Sequence, residues 1–556
     1  MALILNTMRR FAGRNVRCNI GRWLSLWRGK AKPSEEMDCD VNSTCLPMNY
    51  CKLDPSWKQP RVVIVGAGMA GLSAAQHLSM SGIHNFVVLE ATNEVGGRIH
   101  STWYGDVMTE LGVDSLYGCP SDSVFRLASH ERLMSPPLPR IDRTAGGWYV
   151  PEEHRQIKDK VVAKAVSRFR EIERAAVLAY DEMLNVQRTE SLWEWFDERI
   201  ESELKGYLGD RGELDDMGRV MYAMTNELRT KIGASLRNVA YELYGPAVKL
   251  PGGEVSVASG LIGTMAPLIR NIPVNCLKTH QRVATIRWGA PNNTSPRSIV
   301  VTEEGVEYPA DYVVCTVPLG VLKHSQSLFC PALPAKQWEA IQNLGFANVC
   351  KVFARYERPF WLPGTGHMNF AWSKMDLYGS SNDRNHWSRC VSGVHEAPGS
   401  SKVLTMTVTD RESLAVETMN EAMLSSEVHE LLRRFRGDPH LSPPSQVYAT
   451  KWSTNPDFRG FRTFMNATSG IGHIIDLATP LSTDCDMPPV IIFAGEHTSV
   501  EHYGTVHGSR MTGIRASSQI IESTIQYKGP PFPSNAAPPP RLTNKPRDGF
   551  TQEYNK

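Results

Sequence analysis

No two cysteines of this chain stand in a CxxC pair, no apolar run approaches the roughly 18 residues that span a bilayer, and neither sign of charge is in clear excess. Each absence excludes a class. The 11 cysteines are scattered from Cys18 to Cys485, so neither a disulfide scaffold nor a zinc centre is indicated, and the thiols read as reduced. Lys and Arg total 60 against 58 for Asp and Glu, a formal charge of +2, which argues against a nucleic-acid binder or a polybasic membrane surface. Gly, Pro or charge interrupts every apolar run, so no transmembrane segment is expected and the protein should be soluble. What remains is 556 residues with 41% apolar content, too long for one ordinary core and sufficient for two or more domains.

Acidic residues are also missing before Glu35, whereas Arg9, Arg10, Arg14, Arg17, Arg22, Arg28, Lys30 and Lys32 all fall in that stretch. Arg-rich, acid-poor leaders of this kind are typical of mitochondrial presequences, the other reading being a basic tail without structure. The final Glu553-Tyr554-Asn555-Lys556 is not a Ser-Lys-Leu address, which disfavours a peroxisomal location. A cytoplasmic location is expected, with a mitochondrial one as the alternative that the leader raises.

The first strongly patterned element is Arg61-Val62-Val63-Ile64-Val65, a β-branched run closed by glycines that reads as a buried parallel strand. Leu72 to Leu78 reads as a helix rich in small residues and Phe86 to Glu90 as the next strand, giving one β-α-β unit of a doubly wound sheet. From about Ile157 to Arg237 the pattern is helical and highly charged, with Glu190, Glu194, Asp197, Glu198, Glu201 and Glu203 interleaved with Trp193, Trp195 and Phe196. Strand-like sequence returns near 282–288, 298–302 and 312–316, then at 351–356 and 402–408, and one helix is expected from Leu414 to Phe435. The expected organisation is a leader and linker over 1–57; a discontinuous dinucleotide-binding domain from 58–150, 248–330 and 470–527; a substrate domain from 151–247 and 331–469; and a Pro-rich tail over 528–556 without fixed structure. No internal repeat is found.

Gly66-Ala67-Gly68-Met69-Ala70-Gly71 follows the first strand and opens the helix, and Glu90 ends the second strand nineteen positions beyond Gly71. That is a complete dinucleotide fingerprint. Gly66 and Gly68 let the backbone approach a pyrophosphate, whose charge meets the free N–H groups of the helix N-terminus, and Gly71 lets helix and strand pack closely. Glu90 is placed to accept from ribose hydroxyls and would repel a 2′-phosphate, which disfavours NADP. Gly96-Gly97-Arg98 and Glu110-Leu111-Gly112 follow shortly after, and an Arg behind two glycines can lie along a dinucleotide and neutralise its phosphates.

These motifs, with Val317-Pro318-Leu319-Gly320-Val321-Leu322-Lys323, Gly495-Glu496-His497-Thr498 and Tyr503-Gly504-Thr505-Val506-His507-Gly508, resemble the flavin-containing amine oxidases. Within them, the polyamine and spermine oxidase branch is the best match, over nearly all of 61–526. The resemblance implies an α/β fold: an FAD-binding Rossmann-like domain with a mixed sheet, and an α+β substrate-binding domain with a helical insertion. It implies non-covalent FAD contacted by Ala70, Glu90, Gly97, Arg98, the backbone of Gly112, Asp114 and Ser115, Val283, Glu496, and the Thr505-Val506 backbone. Lys351 matches the lysine that in the family holds a water against flavin N5. The implied partners are a small amine and O2, the implied reaction hydride transfer to flavin with release of hydrogen peroxide, an aldehyde and a shorter amine.

The chain departs from the branch pattern at the substrate side. After Glu-Leu-Gly the branch has a Trp and then a His or acid before Gly, whereas Val113-Asp114-Ser115-Leu116-Tyr117-Gly118 puts Tyr117 at the polar recognition position. Gly460-Phe461-Arg462-Thr463 stands where the branch has Gly-Ser-Tyr-Ser, so Arg462 replaces an aromatic, and a cation there repels a cationic substrate unless it points away. Trp452, Phe461, Phe464 and Tyr503 are candidates to restore aromatic walls. The expected function is oxidation of a spermine-like polyamine; the alternatives are an oxidase of another amine and an FAD-binding interaction module without amine oxidase activity.

Overall fold

Val62–Val65 consists of four fully buried β-branched residues, and a strand apolar on both faces belongs in the middle of a covered parallel sheet. It pairs in parallel with Phe86–Leu89 on one side and Tyr312–Cys315 on the other. Ile491–Phe493 and Leu277–Lys278 complete five parallel strands. These coordinates are a computed structural model that describes residues 59–527 apart from 118–122, 135–141, 143, 152, 183–189, 246–253, 290–295, 380–385 and 485–486. The basic leader, the linker and the Pro-rich tail lie outside the described residues. Helix α1, Met69–Met80, is buried along most of its length by its small residues. A second, four-stranded sheet is mixed: Val283–Arg287 runs antiparallel to Ser298–Thr302 and parallel to Phe329–Cys330.

The charged helical stretch forms α2 (Asp159–Glu182), α3 (Leu192–Lys205) and α4 (Arg211–Ile232). A capping box between Ser191 and Glu194 fixes the start of α3. Its apolar stripe, Trp193, Trp195 and Phe196, is buried, with Phe196 stacked on Phe169 of α2 at 4.9 Å. Two acids of α3, Asp197 and Glu201, hold Lys374 Nζ at 2.6 and 2.9 Å, and Asp216 of α4, itself buried, meets Arg155 at 2.7 Å. Helix α4 ends at Gly233, whose φ of 88° is the left-handed closure that glycine favours.

A seven-stranded sheet carries Val349–Arg355 between Val403–Thr409 and Gln446–Ala449, antiparallel to both. The single helix expected over 414–435 is two, α5 (Arg411–Thr418) and α6 (Glu421–Arg436). Asn420 breaks the run because its extended backbone and its side chain, which accepts from the Met423 N–H, make it the N-cap of a new helix. Helix α7, Val506–Gln526, returns against α1, where Gly513 sits so close that a Cβ would lie 2.1 Å from the Ala70 carbonyl oxygen. Among the described residues no helix is long and apolar enough to cross a membrane.

Candidate active site

One cavity of about 1010 Å³ runs from the first β-α turn to the strand carrying Lys351. At one end the turn is built by exclusion. Gly66 adopts φ 104°, and a Cβ there would meet Thr316 Oγ1 at 2.5 Å; a Cβ on Gly71 would meet the Gly66 carbonyl oxygen at 2.0 Å. No side chain caps the first N–H groups of α1, and no acid stands in its first turn, so its positive end opens on the cavity floor between Gly68 and Gly97. Glu90 is buried. Its Oε2 accepts the Ala67 N–H at 2.8 Å, and its Oε1 accepts the N–H and hydroxyl of Thr92 at 3.0 and 2.9 Å. A carboxylate oxygen has two lone pairs, so Oε2 keeps acceptor capacity for a ribose hydroxyl. An uncapped helix end, side-chain-free turns and this acceptor fit a dinucleotide.

Further along, Arg98 and Glu496 meet. Arg98 Nη1 donates to Glu496 Oε1 at 2.8 Å and to the Phe461 carbonyl at 2.6 Å, while Glu496 Oε2 accepts the N–H groups of Gly504 at 2.8 Å and Thr463 at 3.3 Å. Burial pushes the Glu496 carboxyl up, but the Arg98 guanidinium and these donors outweigh it and hold it below the ordinary carboxylate value. Arg98 and Glu496 thus brace each other. Thr505 N-caps α7, with Oγ1 accepting from the Gly508 N–H at 3.0 Å, and brings its own backbone and that of Val506 to the cavity. Gly112, Asp114, Ser115 and Val283 also line it.

Lys351 occupies the strand Val349–Arg355, second from one edge of the seven-stranded sheet, and its side chain is almost wholly buried. Nζ reaches the Glu110 carbonyl at 3.3 Å and Asp114 Oδ2 at 3.0 Å. Burial lifts the Glu110 carboxyl to about 7, against the pull of the Leu261 N–H and the Ser101 hydroxyl that it accepts.

The substrate candidates separate. Tyr117 lines the cavity and is exposed to it, paired across a short antiparallel ladder with Glu254. Arg462 also lines it, with Nη2 donating to the Thr230 carbonyl in the last turn of α4 at 3.3 Å. The guanidinium therefore sits at the negative end of a helix dipole. Trp452 stands behind the wall: its indole N–H donates to the Leu111 carbonyl at 2.9 Å, and its ring backs Gly112 at 3.2 Å from where a Cβ would be. Phe461, Phe464 and Tyr503 do line the cavity. So do Glu173, Lys231 and Glu254, which no sequence motif marked; only the folding of α2, α4 and the strand Glu254–Val255 onto one space reveals them. None of Glu190, Glu194, Asp197, Glu198, Glu201 and Glu203 is among the lining residues.

The family of flavin containing amine oxidoreductases matches residues 69–521, and the chain belongs to it. The Drosophila lebanonensis protein anon-37Cs is 29% identical over 493 residues, 84% of this chain and 89% of that protein. The human peroxisomal N(1)-acetyl-spermine/spermidine oxidase is 29% identical over 486 residues, 83% and 95% of the two chains, and maize polyamine oxidase 1 is 27% identical over 487 residues, 84% and 91%. A solved putrescine oxidase, redesigned at its cofactor site, superposes with a TM-score of 0.60 at 18% identity, covering 84% of this chain and 99% of that one. The chain is thus an FAD-dependent amine oxidoreductase with an α/β Rossmann-like cofactor domain and an α+β substrate domain.

Proposed function

We propose that the chain oxidises a spermine-like polyamine, with FAD held non-covalently. The observation that carries this reading is the continuity of one cavity from the dinucleotide fingerprint to Lys351 and on to the acids Asp114, Glu173 and Glu254. FAD held there would supply a two-electron acceptor for oxidation of the amine, with O2 as final acceptor and hydrogen peroxide, an aldehyde and a shorter amine as the products after water adds. The residues of the chain bind, orient and exclude. Gly66, Gly68, Ala70 and Gly97 keep bulk off the pyrophosphate path, Gly71, which is not on the wall, lets α1 pack against the turn at Gly66, and Glu90 takes the ribose. The N-termini of α1 and α7 supply donors, while Arg98 and Glu496 lock the intervening segments. No cysteine is among the described lining residues, which supports non-covalent holding. Lys351 Nζ holds a proton or a water on the wall, and the three acids offset the charge of ammonium groups away from the reacting carbon.

The homology to polyamine oxidases of animals and maize supports the substrate class. A second reading, an oxidase of a smaller amine, is favoured by Arg462 and Lys231 on the wall. A peroxide and aldehyde assay over spermine, spermidine, their acetylated forms and monoamines separates the two: the first reading expects turnover of spermine above all monoamines, and the reverse order defeats it. A cytoplasmic location is the finer reading of compartment, and a fluorescent protein fused after residues 1–33 tests it, import into mitochondria being the contrary result.

A further inference from the structure

Lysine carries its charge on a flexible four-carbon stem, so a lysine with a fixed task needs something to hold its head. Two acidic residues reach Lys351 Nζ, and a third, Glu254, is linked to their loop through Ser115. Glu110 ends the strand Val107–Glu110 and offers Nζ only its backbone carbonyl, its carboxyl being turned onto the Leu261 N–H at 2.6 Å and the Ser101 hydroxyl at 2.7 Å. Glu254, from the strand Glu254–Val255, reaches Ser115 Oγ at 2.8 Å. Asp114, from the loop after Gly112, is the one carboxylate among the described residues within ion-pair reach of Nζ, with Oδ2 at 3.0 Å, and its other oxygen lies 3.1 Å from Ser115 Oγ. The lysine side chain is 8% exposed and the aspartate 41%, so the pair is closed on the lysine side and open to the cavity on the acid side.

We propose that Asp114 is the positioning residue for Lys351: its carboxylate, 3.0 Å from Nζ, fixes the ammonium at one point of the cavity wall. The inference rests on the reading of Lys351 as the group that holds a proton or a water there. It also gives Asp114 a side-chain role where the family resemblance implied a backbone one. Removing the carboxylate leaves the buried head group without its anionic partner and the stem free to turn, which loosens its placement.

The test is acetylation of Lys351 by acetic anhydride at one fixed pH in the full-length, FAD-loaded protein, read by peptide mass spectrometry. In D114N the labelling rate is expected to rise about tenfold over the parent; flavin reduction by amine slows about tenfold with KM little changed, and D114E restores most of both. Equal labelling rates in the parent and D114N overturn the proposal. A parent flavin that no amine reduces, beside faster labelling in D114N, removes the oxidase reading and leaves the positioning role standing.

Discussion

Glu496 shows how much one buried carboxylate organises. Its two oxygens gather Arg98 and the N–H groups of Thr463 and Gly504, which lie 398, 33 and 8 positions away. Because its folded-state pKa is depressed, its stabilising contribution is present above the ordinary carboxylate pKa and is lost as pH falls through the lower folded value. Glu496→Gln leaves Arg98 buried without its anion and is expected to cost about 3 kcal/mol at neutral pH. It should also flatten the acid limb of the stability profile, both being read from urea denaturation at a series of pH values. Lys351→Met removes the head group but keeps the stem. Bound FAD should stay, with its reduction or reoxidation slowed about a hundredfold in stopped-flow absorbance; unchanged rates would take Lys351 out of the mechanism. At this scale legibility follows sequence distance. The members of the fingerprint lie within thirty residues of one another and announce themselves, whereas the Trp452 indole finds its acceptor at Leu111, 341 positions away. An aromatic near a strand gives no sign of whether it faces a cavity or backs one.

Between elements, the substitution that made the substrate hard to read has a structural answer. Arg462 stands where the family resemblance implies an aromatic, and its guanidinium caps the C-terminus of α4 through the Thr230 carbonyl, 232 positions away. The dipole of α4 offsets part of the repulsion that a cation on the wall would exert on an amine, while the wall remains more positive than an aromatic would make it. Arg462→Tyr is expected to lower stability by about 0.5 kcal/mol through the lost cap and to speed flavin reduction by spermine about tenfold, a difference of roughly 1.4 kcal/mol in barrier. Stopped-flow traces of the two proteins check it, and slower reduction in the variant would mean that Arg462 helps the substrate. The break between α5 and α6 belongs to the same scale: Leu414 to Phe435 keeps helical periodicity throughout, and the Asn420 cap that interrupts it is one polar residue in a charged run.

Across the whole molecule, the strands of the parallel sheet come from 62–65, 86–89, 277–278, 312–315 and 491–493, so no contiguous piece of chain contains the cofactor cradle. The β-α-β opening and the Gly495-Glu496 return were legible because each carries a local reason for its residues. The acids Glu173 and Glu254 were not, because a solvated face and a cavity wall have the same sequence pattern until tertiary packing chooses between them. The proposed function requires this assembled space to bind FAD and to deliver an amine to it beside Lys351. Anaerobic mixing of the purified yellow protein with spermine tests that most directly: the oxidised flavin absorbance should bleach and return on admitting O2 with release of hydrogen peroxide. An absorbance that no amine of the panel bleaches, with FAD bound, would contradict it and leave an FAD-binding protein without amine oxidase activity.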